Sequence, residues 1–133
     1  MAMDSTTIDL PGSEIGSITR EDGKLKVHFS RACIIKTMSG SEERTRWWQV
    51  GDLVFEEAEV EGDLPECPCV CDGGDVGENV YTYRDMLPIP LESQGRAHCE
   101  LRFKNQSAKL KVMAIGVKLV MQDRPQYIEH IRD

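Results

Sequence analysis

From Arg96 to Lys104 the chain alternates strictly. Ala97, Cys99, Leu101 and Phe103 take one phase, and Arg96, His98, Glu100, Arg102 and Lys104 take the other. Successive side chains of a strand point to opposite faces, so this period marks a strand with one face buried and one wet. Asn105-Gln106-Ser107 then closes a hairpin. Leu110, Val112 and Ala114 continue on one face of the next strand. The phase slips at Gly116 to Val117, Leu119 and Met121. A one-residue slip is what a β-bulge produces, and glycine is the residue most tolerant of one.

The same signature recurs along the chain. Leu25, Val27 and Phe29 alternate with Lys24, Lys26 and His28, then the apolar phase moves to Ala32 and Ile34. That slip predicts a bulge near Ser30 and Arg31. Asp22-Gly23 before it is a hairpin signal. Residues 14–20, Thr45 to Val50, Leu53 to Phe55, Ala58 to Val60 and Val80 to Leu87 read as further strands. Leu10-Pro11-Gly12-Ser13 and Asp123-Arg124-Pro125 read as turns. No segment keeps a helical spacing and no repeat occurs. The expected fold is all-β, an antiparallel β-sandwich or flattened barrel of roughly eight short strands with bulges and little or no helix. Residues 1–133 suit a single β domain. Within it, 1–12 read as a flexible N-terminal segment and 62–79 as a long irregular loop, rich in glycine and acids.

Charge narrows the partners. The net charge is −7, an acidic protein. Nucleic acid binding relies on clustered Lys and Arg, so it is not expected, and neither is an anionic membrane surface. No stretch approaches the about 18 apolar residues of a membrane span. Between Arg46 and Arg84 there is no Lys or Arg, and ten acids fall in that interval. This acidic middle reads first as solvated strand faces and loop, and second as a patch for a basic partner or a divalent cation. The five cysteines are an odd number, and no export signal is visible at the N-terminus. Free thiols in a cytoplasmic setting are the expectation.

Cys67-Pro68-Cys69-Val70-Cys71 is the densest chemical cluster and the candidate metal site, with zinc as the candidate ion. Geometry argues against a simple clamp. Alternate residues of an extended strand lie about 6.6 Å apart. Sulfurs on tetrahedral zinc sit roughly 3.8 Å apart, from bonds of about 2.3 Å. The competing assignment is three small hydrophobes on a buried strand face. A redox role for the same thiols is disfavoured, because the surrounding acids raise a thiol pKa. Asp72 to Asn79 fails the EF-hand pattern and reads as a glycine turn. Trp47 and Trp48 are adjacent, so in a strand they face apart. One packs inward, and the other, beside Arg46, is a candidate contact for a partner or ligand. His28 and His98 fall on wet phases. No nucleophile elbow, phosphate loop or dinucleotide fingerprint occurs.

The functional expectation follows from these points. The chain reads as a non-enzymatic binding or self-associating module, its partner a protein or a second copy in a homodimer. Metal binding through Cys67, Cys69 and Cys71 is the first alternative. A ligand-binding or enzymatic sandwich with a pocket near Trp47 and Trp48 is the second.

Overall fold

The computed structural model describes residues 5–38 and 43–131. Nine strands run in chain order: β1 (Ser5–Glu21), β2 (Lys24–Thr37), β3 (Arg44–Phe55), β4 (Glu59–Glu61), β5 (Cys69–Glu78), β6 (Tyr81–Arg84), β7 (Met86–Pro88), β8 (Glu92–Phe103) and β9 (Lys109–Ile131). No helix occurs among the described residues. Every pairing is antiparallel and all nine strands belong to one sheet, in the order β6-β5-β8-β9-β3-β2-β1-β7, with β4 on β9. The all-β antiparallel expectation holds. A further pairing of β5 with β1 joins the two ends of the path, so hydrogen-bonded neighbours form a circuit through β1, β2, β3, β9, β8 and β5. That join is short. It consists of Glu14 opposite Val70 and Ile15 opposite Cys69.

The local signals act as expected at the hairpins and bulges. Asp22 and Gly23 have φ of +52° and +77°, the left-handed pair that a two-residue hairpin turn needs. The β2–β3 register breaks between Phe29 and Ala32, leaving Ser30 and Arg31 in the bulge. Leu25, Val27 and Phe29 before the bulge, and Ala32 and Ile34 after it, are therefore all buried. The β8–β9 register breaks beside Gly116, whose φ is +122°. Ala97, Cys99 and Leu101 lie beside Ala114, Val112 and Leu110 on the paired strands β8 and β9, and with Phe103, Phe29, Phe55 and Leu53 they form one core.

Three expectations change. Residues 5–12 are not a loose segment. They run in β1, paired from Ser5–Thr37 to Asp9–Cys33, because Ile8 and Leu10 are fully buried. Pro11 and Gly12 bulge inside that strand, and residues 1–4 lie outside the described residues. Asp123, Arg124 and Pro125 do not end a strand either. They form an irregularity within β9 opposite Gln49.

The long loop shrinks to 62–68, because Cys69–Glu78 is a central strand between β8 and β6. Its glycines permit close approach rather than a turn. A Cβ on Gly74, which has φ +145°, would lie 2.1 Å from the Glu100 carbonyl oxygen. A Cβ on Gly77 would lie 2.0 Å from the His98 ring. Gly74→Ala is expected to cost roughly 2–4 kcal/mol, since both the backbone angle and the neighbouring strand oppose it. Gly12→Ala, at φ +91° with open space around it, is expected to cost about 1 kcal/mol. Urea unfolding of both variants checks the ranking.

Candidate functional site

The outer faces of β4, β9 and β8 form a continuous surface around two exposed apolar side chains. Met113 and Ile115 on β9 are 63% and 58% exposed. They are in the wet phase of a strand whose other phase, Val112 and Ala114, is buried. Met113 is opposite His98 on β8 and Glu59 on β4, while Ile115 is opposite Arg96. In the next row Lys111 sits between Glu61 and Glu100. The apolar pair therefore has an arginine and a histidine on its β8 flank and a carboxylate on its β4 flank. The His98 ring lies over Gly77, which leaves it the room a side chain would take.

The thiol cluster divides. The chain bends at Cys67 and Pro68 ahead of β5, across a cis Cys67–Pro68 bond. The sulfurs of Cys67 and Cys69 stand 3.9 Å apart. Cys71 turns into the core, fully buried, with its thiol 3.7 Å from the Gly73 carbonyl. Of the three thiols expected at a zinc site, the structure brings Cys67 and Cys69 together and buries Cys71 in the core. Among the described residues no group of three or more His, Cys, Asp or Glu side chains is placed to hold a metal ion. Burial pushes the Cys69 thiol up to about 12, with the adjacent Cys67 adding to it, and pushes the Cys71 thiol up to about 11. Burial, more than the acids, dominates both shifts.

Trp47 and Trp48 part as neighbours in a strand must. Trp47 packs against the core, edge-on to Tyr127 at 5.2 Å, with Lys36 Nζ 4.4 Å from its ring centre. Its indole N–H donates to Thr45 Oγ1 at 2.8 Å. Trp48 lines an open recess of about 240 Å³ with Arg31, Gln49 and Arg124. Arg46 lines a different recess and pairs with Glu129 at 3.2 Å. The three side chains do not converge on one site. In that second recess Asp9 is raised above the ordinary carboxylate value by burial, against the opposing pull of Arg46.

The acidic middle is interleaved with bases from the flanks. Glu56 pairs with Lys24 at 3.6 Å and Lys118 at 4.0 Å, and Asp75 pairs with Arg84 at 3.4 Å. Asp72 and Asp75, expected in a glycine turn, lie on β5. Asp52 is nearly buried, with both carboxylate oxygens engaged. His28 Nδ1 lies 2.7 Å from Oδ1, and the Gln122 side-chain amide donates to Oδ2. The pair lies on the outer face of β2 and β3, beside a recess of about 470 Å³ edged by Lys24, Lys26 and Lys118. Among the described residues no hydroxyl or thiol hydrogen-bonds to His28, so the pair has an orienting carboxylate but no bound nucleophile.

Two features escaped the sequence reading. Met113 and Ile115 lie in the run Val112-Met113-Ala114-Ile115, and four consecutive apolar residues on a strand place two on each face. That run was the signal. His28 and Asp52 are 24 residues apart and meet only through the β2–β3 register, which no local pattern announces. No family model, curated protein or solved structure matches the chain. Asp52→Ala is expected to lower stability by about 1–3 kcal/mol, because it strands two donors. Asp52→Asn should cost less, since the amide keeps an acceptor for His28 and Gln122 can turn its own oxygen to the new N–H. Chemical denaturation of the two variants measures the difference.

Proposed function

We propose that the protein is a non-enzymatic binding module that associates with a second copy of itself through the outer face of β4, β9 and β8. The observation that carries this reading is the exposed pair Met113 and Ile115 on a strand fixed from both sides. An apolar centre inside a charged rim is the anatomy of a protein interface. Burying one such side chain contributes about 1.5–3 kcal/mol, and a symmetric dimer buries four.

The rim favours a second copy. A two-fold axis lying along β9 sets the β8 flank of one protomer over the β4 flank of its partner. Arg96 and His98 then approach Glu59 and the neighbouring Glu57. Lys111 lies between Glu61 and Glu100 and offsets both. Complementary flanks of this kind set register and orientation more than affinity. Five free thiols, three of them buried, support a reducing compartment such as the cytoplasm as the setting.

Sedimentation equilibrium tests the reading. The expected result is a reversible dimer with Kd on the order of micromolar. Ile115→Lys and Met113→Lys should each weaken it by about tenfold or more, while leaving the melting temperature within a few degrees. Arg96→Glu and Glu59→Arg should each weaken association, and a mixture of the two single variants should restore it as a heterodimer. A wild-type monomer at high concentration, or lysine variants that dimerise as well as wild type, would overturn the proposal.

A further inference from the structure

We propose that Cys67 and Cys69 form a reversible dithiol–disulfide site whose reaction partner is a small-molecule disulfide. Three observations carry it. The two sulfurs are neighbours at 3.9 Å, whereas Cys33, Cys71 and Cys99 are buried. Cys67 is exposed and Cys69 half-buried beside it, so one thiol is open to a reagent and the other is placed to follow. The segment is also tied down on both sides. Before Cys67, the Gln106 side chain accepts from the Glu66 backbone N–H at 2.9 Å and donates to the Glu66 carbonyl at 2.9 Å. After Cys69, the Lys104 N–H donates to the Val70 carbonyl at 2.9 Å, and Cys69 itself pairs with Ile15.

The chemistry is ordinary thiol–disulfide exchange. The Cys67 thiolate attacks one sulfur of the small disulfide, forms a mixed disulfide and releases one thiolate. Cys69 gives up its proton to solvent and attacks the Cys67 sulfur. The Cys67–Cys69 bond forms as the mixed disulfide breaks, and the second small thiol leaves. Two protein thiols are oxidised and one small disulfide is reduced to two thiols, a two-electron exchange. The anchors make the second step intramolecular between groups already in place.

The raised pKa of Cys69 bears on rate and on poise. With Cys69 pushed up to about 12, little of it is thiolate at neutral pH, so oxidation is slow there and quickens as the pH rises. A Cys69 not stabilised as thiolate is also a poor leaving group, so the disulfide it closes is not easily reopened, the reverse of a strongly oxidising pair. Burial of Cys69 therefore slows the exchange without opposing its product.

The test uses the whole reduced protein and oxidised glutathione, at neutral and at mildly alkaline pH. Free thiols are counted after denaturation, and tandem mass spectrometry locates any bond, since Cys71 shares the same tryptic peptide. The expected result is a fall from five thiols to three, faster at the higher pH and reversed by a reducing agent, with the bond between Cys67 and Cys69. Cys69→Ser should stop at a stable glutathione adduct on Cys67. Cys67→Ser should react at least about tenfold more slowly, because the remaining thiol is half-buried. Five thiols persisting in the wild type would overturn the proposal. So would a wild-type protein that keeps the glutathione adduct as Cys69→Ser does, or a Cys67–Cys67 bond between two molecules.

Discussion

The sheet depends on β9. Its first half pairs with β8 on one side and β4 on the other, and its second half pairs with β3. The handover falls at Gly116, where φ is +122° and β9 takes hydrogen bonds from the end of β3. Glu56 N–H donates to the Gly116 carbonyl, and the Ile115 N–H donates to the Glu56 carbonyl. A glycine there lets one long strand serve two sets of partners without losing its backbone bonds. On the far side of the circuit β1 meets β5 directly in a two-residue join, and Asp85 bridges them beside it, its N–H donating to the Gly74 carbonyl and its carbonyl accepting from the Leu10 N–H. Closing the path this way removes the long free edges that β1 and β5 would otherwise present. β6 covers the far end of β5 and β7 the start of β1, while β9 beyond Lys118 has β3 as its ladder partner on one side.

Because β9 is held on both flanks, its outer side chains form a rigid surface. Met113 projects from the part of β9 that β8 and β4 bracket, and Ile115 from between β8 and Glu56, whose carbonyl accepts from the Ile115 N–H. Holding them costs little further entropy on association, since their backbone is already fixed. The same argument separates them from Val80 and Tyr81. Those two are more exposed, at 90% and 64%, but they sit at the tip of the β5–β6 hairpin with a strand on one side only.

Legibility followed the balance between local and distant causes. Arg96 to Lys104 was readable because its period comes from one buried face and nothing else. The bulge at Ser30 and Arg31 was readable because the slip shows in the apolar phase itself. β5 was not readable. Gly73, Gly74 and Gly77 resemble loop residues until the strand they lie against is known, and the Glu100 carbonyl and the His98 ring that exclude a Cβ are over twenty residues away. The N-terminal residues were misjudged for a related reason. Thr6, Asp9 and Pro11 look solvated, while Ile8 and Leu10 are buried by β2 and by the late-coming β7. In the thiol cluster, the spacing of an extended strand argues against three sulfurs on one ion, and the bend at Cys67 and Pro68 that brings two of them together has no signal in the alternation.

That bend sits where the circuit is thinnest. Cys69 is one of the two β5 residues that hold β1, and Val70, the other, also accepts from Lys104 at the β8–β9 hairpin. Local opening begins where few backbone bonds must break, and the direct ladder between β1 and β5 is two pairs long. A bond between Cys67 and Cys69 would not cross the join, since both sulfurs lie on the β5 side of it. It would instead fix the approach of the chain to β5, one residue past the Gln106 clamp. Oxidation would then remove freedom from the segment that must be ordered before Ile15 and Cys69 can pair. Any effect of that bond on sheet closure would therefore act through the entropy of a short approach segment, not through a new contact between β1 and β5.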